Sequence, residues 1–311
     1  MPKNKPREEK KPIGERISAL LARTIRFVTY DIWRITENEV SGLKEIYINI
    51  IKTVILAVRG FQSENLQTKA SALTYSTLLS IVPLLAVLLG IAKGFGFQGT
   101  VRQELFDYFP GHEMELNKAF EFVESYLAQA QGGVIIGVGL ILLFYTVINL
   151  ISSVEDTFND IWQIQKSRPW YRKISDYLAL FLVLPVLMTA SSGLSIFMST
   201  LQNSFLGQYL FFTPLVELFL HIAPYIITTL AFTGLYVSLP NTKVRFVNGL
   251  VAGFIAGCAF QLFQFIYISG QIWVSKYNAI YGSFAALPLF LLWLQISWTI
   301  CLFGAELTYA G

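Results

Sequence analysis

"AALPLFLLWLQISWTICLFGAEL", residues 285–307, is almost entirely apolar for twenty-one positions and then presents a carboxylate, Glu306. A bilayer core about 30 Å thick is crossed by roughly 20 apolar residues in a helix, so this run is long enough to span one. Working back along the chain, five more segments of the same kind appear. Together the six fall at about 71–92, 133–152, 177–199, 215–239, 246–270 and 284–306. Hydrophobic residues make up 54% of the 311 and charged residues 14%, against about 25% charged in a soluble domain. The expected fold is all-α, a polytopic membrane protein of six transmembrane helices.

Charge sets the expected orientation. Short loops rich in Lys and Arg stay on the cytoplasmic side. Residues 1–70 hold 13 of the 23 basic residues, the second loop adds Lys166, Arg168, Arg172 and Lys173, and the fourth adds Lys243 and Arg245. The opposite side receives only Lys93, Arg102, Lys118 and Lys276. Nineteen against four puts both termini in the cytoplasm. The first 40 residues are charged and lack a compact apolar core, so they are expected to remain in the mature chain.

Residues 1–12, "MPKNKPREEKKP", have almost nothing to bury and are expected to be a disordered basic tail. Residues 13–70 mix bulky apolar residues with scattered Lys and Arg, as in "ERISALLARTIRFVTYDIW" and "LKEIYINIIKTVILAVRGF". They read as amphipathic helices at the cytoplasmic interface, where basic side chains meet anionic headgroups. Eight acids within residues 1–70 argue against a nucleic-acid partner for this basic run. Residues 71–311 form the transmembrane domain. Within it, residues 93–132 read as an external helical hairpin, with Phe120, Val123 and Leu127 on one helix face.

Polar residues inside the spans mark candidate working faces, because each costs free energy there unless paired or wet. In span five, Gly249, Gly253 and Gly257 recur every four residues, with Gln261 and Gln264 following on the same face. Glycines at that spacing allow close helix packing, within one chain or in a homo-oligomer equally well. In span six, Pro288, Leu292, Gln295, Thr299, Leu302 and Glu306 lie within about 80° of one another, on one helix face. Glu306 is either an interfacial carboxylate or an ion or substrate contact at a cytoplasmic vestibule, and both readings stay open. Glu217 and His221, at i,i+4 near the outer end of span four, are either an interfacial pair or a proton relay. Prolines 83, 185, 224 and 288 fall within spans.

Motifs of other functions are missing. There is no GxxxxGK[ST] loop, HExxH, paired CxxC or GxSxG, and the sequence indicates neither a cofactor nor an enzyme. The only histidines, His112 and His221, fall on the outer side, which rules out a cytoplasmic His-based metal centre. Glu155, Asp156 and Asp160 are expected to start a cytoplasmic connector rather than hold Mg²⁺, so no metal is assigned. Cys258 and Cys301 fall in spans and are expected to be small buried residues.

Four ordered stretches carry a family resemblance: "KASALTYSTLLSIVPLL" at 69–85, "NDIWQIQKSRPW" at 159–170, "LPNTKVRFVNGLVAGFIAG" at 239–257 and "YGSFAALPLFLLWLQISWTICLFGAEL" at 281–307. The chain resembles the YihY/BrkB family of bacterial inner-membrane proteins over roughly residues 45–310. The resemblance implies six spans, cytoplasmic termini and an inner-membrane location. The family's old label, ribonuclease BN, finds no support in these residues. The expected function is a transporter or flippase-like protein for an envelope lipid or small solute, with membrane lipids as partners. The alternative is a non-transporting scaffold for envelope assembly.

Overall fold

The structure, a computed structural model, describes residues 30, 32–34, 43–109, 111–129, 133–165, 168–169, 171–175, 182, 212–275 and 286–311. Those residues are helical with no strand among them. Eight helices organise them: α1 (Leu43–Ser63), α2 (Leu66–Gly94), α3 (Gln98–Tyr108), α4 (Glu113–Gln129), α5 (Gly133–Ile161), α6 (Phe212–Ser238), α7 (Phe246–Ser275) and α8 (Ala286–Ala310). The expected span at 177–199, apart from residue 182, and the tail at 1–12 lie outside the described residues.

Three of these helices are long and apolar enough to cross a membrane: Leu66–Gly94, Phe246–Gly270 and Leu287–Ala310. A helix of 29 residues, such as α2, rises about 43 Å, which exceeds the hydrocarbon core. Several of their Ser and Thr hydroxyls return to the carbonyl four residues earlier. Thr74 donates to Ala70 O (2.8 Å), Thr299 to Gln295 O (2.7 Å) and Thr308 to Gly304 O (2.9 Å). Such back-bonding satisfies a polar group where no water is at hand.

The chain divides into two units, Met1–Arg59 with Ala310, and Gly60–Tyr309 with Gly311. In the first unit Ile32 is fully buried, and Arg34 and Arg59 lie over the rings of Tyr30 and Trp33 at 5.5 and 5.3 Å. In the second, α2 is the central element. It enters through Asn65 at φ 52°, a left-handed conformation that Asn tolerates because its short polar side chain bonds locally. Its far half, Leu85 to Ala92, buries against Val101 and Leu105 of α3 and Ala119, Phe120 and Val123 of α4. Val87 also meets Val147 of α5.

Among the described residues, α6 and α7 form the closest helix pair. A Cβ added at Gly249 would meet Val237 Cγ2 at 2.8 Å, one at Gly253 the Thr233 amide at 2.9 Å, and one at Gly257 the Thr229 amide at 3.0 Å. The glycines let backbone lie against backbone, a contact type that suits a medium offering little hydrophobic drive between helices. α8 is tied to α6 by the Tyr236 hydroxyl, which donates to Cys301 O at 3.0 Å from a fully buried position. Tyr236→Phe is expected to lower stability by about 1 kcal/mol, read as a small fall in Tm of the detergent-solubilised protein. Cys301 is buried, Cys258 half-buried, and both are free thiols.

One expectation changes. α5 continues as helix to Ile161, so Glu155, Asp156 and Asp160 sit on its last turns and do not begin a connector. Local partners allow the extension: Lys173 Nζ lies 3.4 Å from Asp156 and 3.9 Å from the fully buried Glu155.

Candidate functional site

A line of polar side chains runs between α2 and α8. Thr74 Oγ1 lies 3.2 Å from Gln295 Oε1, Trp298 Nε1 donates to Thr77 Oγ1 at 3.0 Å, and Thr299 Oγ1 reaches Gln67 Oε1 at 3.5 Å. Thr74 and Thr299 each have one hydroxyl proton, already directed to a carbonyl four residues back at 2.8 and 2.7 Å. Their bonds across the seam are therefore shared and weak. The Gln295 amide nitrogen is buried with no hydrogen-bond partner. An orphaned amide at this depth costs about 1–3 kcal/mol, so the seam is held together below its hydrogen-bonding capacity.

Glu306 closes one end of the seam. It is 4% exposed, and its Oε2 has no hydrogen-bond partner. Space for it exists because residue 60 is glycine: a Cβ there would collide with Glu306 Oε1. The charges acting on it come from Glu64 and Lys69. Both line a cavity of about 500 Å³ at this end, with Asp156, Asn159, Asp160 and Gln163 among the other walls. Lys69 Nζ pairs with Asp160 at 3.1 Å. Asn159 Oδ1 accepts the Asn241 N–H at 2.8 Å. The Arg168 guanidinium donates to Ser238 O at 2.9 Å, which ties the segment after α5 to the end of α6. Among the described residues no three His, Cys, Asp or Glu side chains converge as metal ligands would.

The other end is aromatic. Trp293 Nε1 donates to Gln264 Oε1 at 2.7 Å. Against Trp293, Tyr267 and Phe290 packs the His112 ring, at centroid distances of 4.5, 5.2 and 5.3 Å. Phe109, also from the α3–α4 turn, meets Trp293 edge-on at 6.0 Å. Neither His112 nitrogen has a hydrogen-bond partner, and Glu115 Oε2 stands 4.0 Å from Nδ1. Burial holds the imidazole at a pKa of about 4, against 6.5 for a free histidine, with Glu113 opposing the shift. Burial also raises the Glu115 carboxyl.

The linkage has a definite sign. Between pH 6.5 and 4 the undocked histidine binds a proton that the docked one refuses, so acidification through that window favours undocking. With two histidines in the chain, ¹³C-histidine NMR should resolve one resonance with a midpoint near 4. A midpoint near 6.5 for both would contradict the docked turn.

The predicted residues separate accordingly. Gln295 and Thr299 face α2, Glu306 lies against Gly60 of α1, and Gln264 reaches Trp293. Gln261 instead donates to Pro224 O on α6 at 3.2 Å, which draws on the carbonyl of a proline inside that helix. Pro288 and Leu292, assigned to the polar face of span six, are exposed. Glu217 and His221 belong to α6, but their side chains lie outside the described residues. Gly60, Glu64, Lys69, Thr74 and His112 were not singled out from the sequence as working residues, and each joins the site through a contact distant in the chain.

The family model described as "Virulence factor BrkB" matches residues 57–311. The chain is similar to UPF0761 membrane proteins of several bacteria. It is 35% identical to that of Paraburkholderia xenovorans over 246 residues, 78% of this chain and 55% of the relative. It is 31% identical to that of Alcanivorax borkumensis over 260 residues, 82% and 59%, and 33% identical to that of Teredinibacter turnerae over 253 residues, 79% and 56%. The chain thus spans a little over half the length of these curated relatives. No solved structure matches it. With the family model covering the seam, the cavity and the docked turn, and with membrane proteins as its relatives, the chain belongs to the YihY/BrkB family of membrane proteins.

Proposed function

We propose that the protein moves an envelope lipid or small solute across the bacterial inner membrane along the seam between α2 and α8. The observation that carries this reading is Glu306, a carboxylate in a membrane-length apolar helix, 4% exposed and with one oxygen unpartnered. Leaving a buried carboxylate oxygen unpaired is costly, and a structural stop signal would not need it. In this reading six spans cross the membrane, and the Glu306 end faces the cytoplasm by the balance of nineteen basic residues against four. The hairpin of α3 and α4 covers the outer end. Membrane lipids surround the bundle, and the protein is not an enzyme; the three relatives described above carry no enzyme name.

Translocation of fluorescent phospholipids in proteoliposomes, followed by dithionite quenching, tests the proposal. Glu306→Gln keeps the shape and removes the charge. It should cut the translocation rate at least tenfold while the elution profile stays that of the folded protein. An unchanged rate in Glu306→Gln, and in the triple variant Gln261→Leu, Gln264→Leu, Glu306→Ala, would leave the scaffold alternative standing.

A further inference from the structure

The cavity at the Glu306 end has unmet bonding capacity of two kinds, and together they describe a ligand. Of its acids, Asp160 is paired with Lys69 and Asp156 with Lys173. Glu64 lines the cavity with no salt-bridge partner among the described residues, and it faces the field of a second carboxylate, Glu306. Two carboxylates near one another, one with a buried unpartnered oxygen, call for a cation between them. A metal ion is poorly served, because no three ligating side chains converge among the described residues.

The second kind is a donor. Asn159 also lines the cavity and is 3% exposed. Its Oδ1 is fixed by the Asn241 N–H, which assigns the amide's orientation and leaves Nδ2 as a buried donor with no partner. An orphan of this type is matched by an oxygen acceptor on whatever fills the space. A volume of about 500 Å³ suits a small polar molecule or one lipid headgroup.

We propose that this cavity binds a primary ammonium group joined by a short spacer to an oxygen acceptor. The ammonium donates to Glu64 on the Glu306 side, and the acceptor accepts a hydrogen bond from Asn159 Nδ2 beside Lys69. Ethanolamine phosphate has this chemistry, whether as the headgroup of an aminophospholipid or as a free compound. Binding rests on the cavity alone. That the ligand is cargo rests on the transport proposal above.

The test uses the full chain, purified in mild detergent, and isothermal titration with phosphoethanolamine, phosphocholine and ethylene glycol. The wild type should bind phosphoethanolamine and should bind phosphocholine, which has no N–H, at least tenfold more weakly. Ethylene glycol should give no heat. Glu64→Gln should weaken phosphoethanolamine at least tenfold. Absence of binding, equal affinity for the two phosphate esters, or an unaltered Glu64→Gln would overturn the site. The comparison between ligands stands without any variant, so a misfolded Glu64→Gln leaves it decisive. Native mass spectrometry from nanodiscs of phosphatidylglycerol with and without phosphatidylethanolamine separates the sources. One phosphatidylethanolamine retained per chain supports the site and names a lipid headgroup; titration binding without lipid retention supports it and names a free compound. If the probe binds while Glu306→Gln translocates normally, the site survives and the transport path falls. If translocation needs Glu306 but no probe binds, the reverse holds.

Discussion

Gly253→Leu is expected to prevent assembly of the α6–α7 pair, the largest effect on stability of any single change considered. A Cβ at this position would already sit 2.9 Å from the Thr233 amide and 3.0 Å from the Thr229 carbonyl. The obstacle is backbone, which cannot turn aside as a flexible side chain can. Overpacking of this kind ordinarily costs 1–3 kcal/mol or more. Here the helices would also have to separate along the glycine line, which loosens the Gln261 bond to Pro224 O. The expected result is loss of the monodisperse peak in size-exclusion chromatography, with Gly253→Ala intermediate. Gly234 offers a control on the same pair, since nothing lies within 4 Å of a Cβ added there. Gly234→Ala should be nearly silent.

Gly60→Ala should have the largest effect on activity without altering any charged group. The added methyl collides with Glu306 Oε1, so the carboxylate must swing away from Gly60. If the position of Glu306 matters, translocation should fall about as far as in Glu306→Gln, at least tenfold. Phe61 packs edge-on against Phe303 at 5.8 Å and should hold α8 in place meanwhile. Normal translocation in Gly60→Ala, with the loss in Glu306→Gln intact, would mean that charge is needed at this end but not its placement.

The long helices were legible because a bilayer demands a composition that few other environments tolerate. α2 and α7 contain the runs expected at 71–92 and 246–270, and α8 covers the run expected at 284–306 from residue 286 onward. Their ends were less legible. α2 begins at Leu66 and α5 reaches Ile161, because a helix continues past the apolar band wherever its polar turns find partners. Lys69 with Asp160 is such a partnership.

The site was half legible, for a related reason. Helical periodicity marks which residues of one helix share a face, so Gln295, Thr299 and Glu306 could be grouped. It does not say which helix they meet. Gln261 and Gln264 differ by 300° around α7, about 60° the other way, and that is enough to send one to α6 and the other to Trp293. Gly60 and Glu306 are 246 positions apart in the chain, and no local pattern links them. His112 was assigned to the outer side by the charge count. Its burial depends on three rings contributed by α7 and α8, which only the folded chain brings together.

The central proposal, that cargo moves along the polar seam between α2 and α8, requires the two helices to part there. A cleavable cross-link across that seam tests it most directly. In a chain with Cys258 and Cys301 replaced by alanine, Thr74→Cys and Gln295→Cys would be joined by a short bis-methanethiosulfonate. The side chains native to these two positions already lie 3.2 Å apart at their nearest polar atoms. With the cross-link formed, phospholipid translocation in proteoliposomes should fall to the protein-free rate, and dithiothreitol should restore it. Translocation at the uncross-linked rate in fully cross-linked protein would contradict the account.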